Sequence, residues 1–232
     1  MKICPIESLI AALPDEVTPD NAEDVRGQLD EIPENAVAKI EKEYTETVYV
    51  TAGELDADGN NALTVRGKVT LEGGTFTSEK EGFVGVRVNG DNATLSVTGG
   101  NVTIQNTGGG YGLGVNDAQS VQLSAGTYSG TAEAIAILNS LTLGNLLAHS
   151  GDTRYAYFDE SGTKPITGVL NDKSLTGTVT VKQCEHTGEG VCEYIHATGT
   201  TTHQQTCLAC GKKWDEENCS YTNGECACSS TL

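Results

Sequence analysis

Apolar and polar residues alternate along the middle of the chain. The stretches "TVYVTAGEL", "LTVRGKVTLEGG", "GVRVNG", "NVTIQN" and "VQLSAG" place Val, Ile or Leu at every second position, with Gly, Asn and Asp between the runs. A period of two predicts strands with one buried face, and the intervening residue types predict tight turns. The first 44 residues have a different period. Ile6, Leu9, Ile10 and Leu13 form a helical stripe that stops at Pro14. A second stripe of Ala22, Val25, Leu29 and Ile32 follows Thr18-Pro19, and a third, shorter one carries Val37 and Ile40. Three short helices bury too little to stand alone, so residues 1–44 are expected to pack on or cap a neighbouring element.

The strand region also repeats. "LEGGTF" (71–76), "VTGGNV" (97–102), "LSAGTY" (123–128) and "LTLGNL" (141–146) align on Gly74, Gly100, Gly126 and Gly144, spaced 26, 26 and 18 apart. Behind them recur "VGVRVNG" (84–90), "YGLGVND" (111–117) and "AIAILNS" (134–140). A repeat of this length built from short strands predicts a solenoid in which inward apolar residues stack from coil to coil. The expected fold is therefore mainly β. It comprises a helical cap segment (1–44), a short right-handed parallel β-helix (45–182) and a small Cys/His-rich zinc module (183–232), with a β-sandwich core as the alternative. The two flanking segments are expected to cover the open ends of the solenoid.

Composition narrows the function classes. Glycine is 28 of 232 residues and the formal charge is −18. A phosphate-binding surface needs clustered Lys and Arg, so nucleic acid is not an expected partner. No apolar run is long enough to span a bilayer, so no membrane insertion is expected. "MKICPIESLIAALPDE" does not read as a signal peptide, because Pro5 and Glu7 interrupt its apolar stretch.

One cysteine lies in the first 183 residues and seven in the last 49. The order is Cys184-x-His186, Cys192, His196, His203-x3-Cys207-x2-Cys210-Gly211, Cys219 and Cys226-x-Cys228. Cys-x2-Cys-Gly resembles a zinc knuckle, whose turn aims two thiolates at one ion. Three of the four histidines fall among these cysteines, and disulfides need no histidine. Structural zinc is thus expected, with two ions shared among Cys184, His186, His203, Cys207, Cys210, Cys219, Cys226 and Cys228. Cys192 and His196 are possible replacements, and the partition between sites stays open. Disulfides, alone or beside one zinc, are the alternative. A redox role for "CLAC" is disfavoured because no βαβ pattern surrounds it.

"LIAALPDEVTPDNAEDVRGQLDEI", the "LEGGTF" coils and the Cys/His tail together resemble segments of large multidomain cell-surface proteins of anaerobic, gut-type Gram-positive bacteria. That resemblance implies an exported, cell-wall-associated, modular protein of adhesive or glycan-related kind, of which this chain is a segment. It carries no catalytic residue across. The expected function is a non-catalytic surface module that binds carbohydrate or a host or partner protein. A polysaccharide lyase or hydrolase and a purely structural spacer are the alternatives. An enzyme of that kind needs carboxylates, with Arg or Lys, grouped on one strand face. Arg66, Lys68, Arg87, Asp91, Asp117, Glu133, Asp152, Arg154 and Asp159 show no pair recurring at coil spacing. His149 with Ser150 and Asp152 is a weak triad candidate, because adjacency in sequence is not triad geometry. "DADGN" (56–60) reads as a turn rather than a calcium loop, and "GGGYGLG" (108–114) as a flexible turn. Tyr111, Tyr128, Tyr155, Tyr157 and Phe158 could form a sugar-stacking face or serve as core.

Overall fold

The computed structural model describes residues 61–196 and 201–220, together with the backbone of two short strands, Thr47–Val50 and Glu54–Ala57. The helical segment expected over 1–44, the last part of "DADGN" and the tail with Cys226 and Cys228 lie outside the described residues. Within them the protein is mainly β, in mixed sheets. One sheet has twelve strands and a second has three.

The larger sheet begins with β1 (Thr47–Val50), β2 (Glu54–Ala57), β3 (Leu63–Val65), β4 (Lys68–Leu71), β5 (Gly74–Ser78), β6 (Val84–Val97), β7 (Val102–Asn106), β8 (Tyr111–Leu123) and β9 (Thr127–Ile137). These strands pair in parallel, in three series. β1, β4, β6 and β8 form the first, β2, β5, β7 and β9 the second, and β3, β6, β8 and β9 the third. The long strands β6 and β8 each serve two series, and the register of their pairing shifts near Gly90, where φ is +149°.

Alternation decides what each series buries. Val65, Val88, Val115 and Ile137 stand in register, and so do Leu63, Val86, Leu113 and Ile135. Leu71, Val97 and Leu123 form another column, and Phe76, Ile104 and Tyr128 a fourth. All of these side chains are buried in one continuous core. Each fully buried Val, Leu or Ile contributes about 1.5–3 kcal/mol relative to exposure, so columns of them dominate the stability of this part. Between the buried columns run other rows, among them the polar row Thr70, Ser96 and Gln122.

The parallel strand series end at β9, and beyond it one parallel bridge joins Leu147 to Leu123. The chain then forms a single-turn helix, α1 (Leu143–Leu146), and the antiparallel strands β10 (His149–Ser150), β11 (Thr153–Phe158) and β12 (Ser174–Gln183), with β12 pairing back onto β9. Leu143, Leu146, Leu147 and Tyr157 are fully buried and join the same core. The apolar residues of 143–157 thus extend the core past the last parallel strand.

The repeat seen in sequence is only partly the repeat in space. Gly74 and Gly126 share a left-handed conformation, with φ of +101° and +99°. The residue in register between them is Val102, two positions past Gly100, because Gly74 pairs with Val102 and Thr103 with Thr127. Gly144 lies in α1 and belongs to no strand. "GGGYGLG" is only in part a turn, because Tyr111–Gly114 begin β8. A Cβ at Gly108 would meet the Glu79 carbonyl at 1.7 Å and one at Gly110 the Phe83 carbonyl at 1.9 Å, so only glycine fits. The buried Asn106 side chain braces the turn. It accepts from the Gly108 and Gly110 N–H groups at 2.9 and 2.7 Å and donates to the Lys80 and Phe83 carbonyls at 3.1 and 3.0 Å.

Candidate metal centre

The smaller sheet is an antiparallel meander of β13 (Cys192–His196), β14 (Thr202–Cys207) and β15 (Lys213–Asn218). It joins the larger one at the end of β12. The Cys184 N–H donates to the Arg154 carbonyl at 2.8 Å, which carries the β11–β12 ladder one residue past the strand. Two residues on, His186 takes a left-handed conformation with φ of 58°, rare for a residue with a side chain. Opposite them, Cys207 ends β14 and the chain turns through Leu208, Ala209 and Cys210. Gly211, at φ +74°, donates its N–H back to the Cys207 carbonyl at 2.8 Å. The knuckle anticipated from Cys-x2-Cys-Gly is therefore formed.

These two turns converge. One ligand atom from each of Cys184, His186, Cys207 and Cys210 falls within 4.8 Å of all the others, a set that could hold a metal ion. The Cys184 and Cys207 sulfurs are 3.7 Å apart, and the Cys210 sulfur lies 3.5 Å from His186 Nδ1. Zinc bonds of about 2.3 Å to sulfur and about 2.0–2.1 Å to nitrogen put tetrahedral edges at about 3.8 Å between sulfurs and about 3.6 Å between sulfur and nitrogen. The observed separations match both. The three cysteines are buried and His186 is half-buried. Ala156, Phe158, Val191 and Ala209 form the apolar wall around the sulfurs.

The thiols share their charge in the metal-free protein. A hydrogen bond from Cys210 holds the Cys184 thiol down to about 5, against the upward pull of burial and with help from the His186 backbone N–H. The same donation, followed by burial, pushes Cys210 well up. A set that already stabilises one thiolate is suited to a cation, which replaces the shared proton. Cys192 stands directly opposite Cys207 in the ladder, and its thiol donates to the His186 carbonyl at 3.4 Å. Burial, then the Cys207 and Cys184 sulfurs, push Cys192 up to about 11, which keeps it a neutral donor beside the cluster.

Trp214 belongs to none of the sequence motifs. Its ring meets the His186 imidazole edge-on, with centroids 5.3 Å apart at 86°, and so fixes the plane of that ligand. The only signal for it was that the chain's one tryptophan falls four residues after Cys210.

Of the other anticipated ligands, His203 and Cys219 lie outside this cluster. His203 is buried, packs edge-on against Tyr194 and has Nε2 3.9 Å from a Glu217 carboxylate oxygen. Cys219 follows β15, with its sulfur 3.6 Å from His196 Nδ1. Cys226 and Cys228 are outside the described residues. No disulfide joins Cys184, Cys192, Cys207, Cys210 and Cys219 to one another.

The other candidate sites disperse. Arg66, Lys68, Asp91, Asp117 and Asp152 are exposed, and Arg87, Glu133, Arg154 and Asp159 are half-buried. His149 and Ser150 are successive residues of β10, so their side chains leave opposite faces of the strand. Of the aromatic residues proposed as a stacking face, Tyr128 and Tyr157 are wholly buried. Their hydroxyls donate to the Ala125 and Leu143 carbonyls at 2.8 and 2.9 Å. Phe158 is buried as well, while Tyr111 and Tyr155 are half-buried.

No protein-family model, curated protein or solved structure matches this chain. No helix among the described residues is long and apolar enough to cross a membrane, which says nothing about strands.

Proposed function

We propose that the protein is a non-catalytic scaffold module of an exported cell-surface protein, wound as a short right-handed β-helix and fastened at its end by structural zinc. The observation that carries this reading is the closed donor set of Cys184, His186, Cys207 and Cys210. Three thiolates and one imidazole favour a soft or borderline cation, and four protein ligands within 4.8 Å of one another fill a tetrahedral shell without an open position for a substrate or activated water. The β-helix rests on the parallel series, in which Val69 pairs with Leu95 and Leu95 with Val121, each 26 residues on. Outward rows of Thr, Ser and Gln give a regular polar surface, and the working contact of the module with a glycan or protein partner falls on such rows.

Two measurements test the reading. Metal analysis of the purified full chain, with thiol counting under non-reducing conditions, is expected to give bound zinc and reduced cysteines. A metal-free chain with oxidised cysteines would overturn the zinc half. Incubation with a panel of polysaccharides is expected to release no reducing ends, while saturable retention on a glycan or protein array identifies the partner class. Release of reducing ends would replace the scaffold reading with that of a polysaccharide-degrading enzyme.

A further inference from the structure

Cys192 lies beside the four-ligand cluster without belonging to it. It opens β13 and stands opposite Cys207, the last residue of β14. Opposed residues of an antiparallel pair share a face, so both sulfurs lie on the same side of the small sheet. The hydrogen bonds around them decide which kind of pair they form. Leu208 donates its N–H to the Val191 carbonyl at 2.7 Å, whereas the Cys207 N–H points away from β13, to the Lys212 carbonyl at 2.8 Å. Hydrogen-bonded and non-hydrogen-bonded pairs alternate along an antiparallel ladder, so Cys192 and Cys207 are a non-hydrogen-bonded pair, with Cα atoms about 4.5 Å apart. A disulfide spans Cα separations of about 4.4–6.8 Å. This pair can therefore be bridged with little movement of the backbone.

Cys192 also differs from the other sulfurs in access. Cys184, Cys207 and Cys210 are buried, whereas Cys192 is half-buried. A small solute thus reaches the cluster's edge at Cys192, whose thiol has the Cys207 sulfur as a hydrogen-bond partner. The Cys184 sulfur is 3.7 Å from that of Cys207, but Cys184 follows β12 and pairs with no residue of β14.

We propose that Cys192 and Cys207 are a reversible modification site, at which a hydroperoxide joins them in a disulfide and so takes one ligand from the metal. Release of the metal rests on the zinc reading of the cluster; the bond itself does not. With hydrogen peroxide the Cys192 thiol attacks one peroxide oxygen, the O–O bond breaks, and a sulfenic acid and water form. The Cys207 thiolate then attacks the sulfenic sulfur, the S–S bond forms, and hydroxide leaves. The two sulfurs give up two electrons and the peroxide takes them. Cys184, His186 and Cys210 remain as three donors of an incomplete tetrahedral shell. A thiol reductant returns the two electrons and restores the fourth ligand.

The test treats the zinc-loaded full chain with hydrogen peroxide, follows zinc with a colorimetric chelator, and maps disulfides by mass spectrometry of non-reduced peptides. A Cys192–Cys207 bond should appear in step with zinc release, and dithiothreitol with added zinc should reverse both. Cys192→Ser and Cys192→Ala should bind as much zinc as the parent before treatment, which shows that the small sheet has formed, and should keep the cluster's zinc when the parent loses it. Release equally fast and equally complete from parent and variants would overturn the proposal. So would a map in which Cys207 is joined only to Cys184 or Cys210. A chain that binds no zinc yet forms the Cys192–Cys207 bond would overturn the release and leave the bond. A zinc-bound chain that never forms the bond would overturn the site and leave the metal centre standing.

Discussion

Strand β7 buries every second side chain between two parallel neighbours, whereas β15 exposes five of its six residues. The contrast extends to the sheets they belong to. Around β7, each added strand extends columns such as Leu63, Val86, Leu113 and Ile135, so apolar area grows with every pass of the chain. Around β15 the described residues form one small apolar cluster, and cysteine sulfurs make up much of it. A sheet of three short strands buries too little to offset the entropy of ordering it, the usual circumstance in which small modules are fastened by a metal or by disulfides. The larger sheet is expected to stand on its own packing and the smaller one on its ligands.

Stripping the metal gives the largest effect. With a strong chelator, or in a Cys184→Ser/Cys207→Ser double variant, the amides of β13, β14 and β15 should lose hydrogen-exchange protection. Those of β6 to β9 should keep theirs. Structural zinc contributes about 10–16 kcal/mol of apparent binding energy in small zinc modules, so the loss should be complete. Equal protection in both sheets after chelation would break the comparison. The reciprocal experiment is Ile104→Ala. Ile104 is fully buried in register between Phe76 and Tyr128, and its truncation should cost about 4 kcal/mol of larger-sheet stability in a denaturant titration. Metal content should not change.

Asn106→Ala should cost about 3 kcal/mol, because it leaves two carbonyls and two N–H groups at the Gly108–Gly110 turn without their partner. The expected signature is exchange at the start of β8 with the metal site intact.

Titration divides the sheets by sign. Cys184 is depressed below the ordinary thiol value, so its contribution is present above that value and is lost as pH falls towards about 5. Acid should therefore release the metal and open the small sheet first. Tyr128 and Tyr157 are raised, chiefly by burial, so their contribution is whole below about 10 and declines above it, by about 1.4 kcal/mol per pH unit for each phenol. Alkali should therefore weaken the large sheet. Both transitions can be followed by circular dichroism with metal release measured in parallel. Coincident loss of both sheets at either extreme would contradict the division.

The alternation of Val, Ile and Leu made the strands legible, and Cys-x2-Cys-Gly with Cys184-x-His186 made the first cluster legible, because both signals are local. The pairing register was not. The sequence repeat places Gly100 beside Gly74, but inward packing of Ile104 between Phe76 and Tyr128 makes Val102 the neighbour, and the turns on either side absorb the difference. The partition of ligands was hidden for a similar reason. His196 and His203 stand opposite each other in the β13–β14 ladder and so share a face, yet His196 meets Cys219 and His203 meets Tyr194 and Glu217. Spacing along the chain cannot report that.

The smallest effects come from two glycines that share one backbone requirement and differ in what they hold. Gly126, at φ +99°, precedes β9, and a Cβ there would meet the Tyr128 hydroxyl oxygen at 3.2 Å and the Val102 carbonyl at 3.3 Å. Gly211, at φ +74°, closes the Cys207–Cys210 knuckle, and its Cβ would meet Leu170 Cδ1 at 3.3 Å. A left-handed residue with a side chain costs about 1–2 kcal/mol in either place. In Gly126→Ala that cost should appear as a lower denaturation midpoint of the large sheet with zinc affinity unchanged. In Gly211→Ala it should appear as an affinity about 10-fold weaker, the same free energy expressed in metal binding, with the large sheet unmoved. If both variants shift the same transition by the same amount, the two sheets unfold as one unit, and the ligands of the small one hold the large one too.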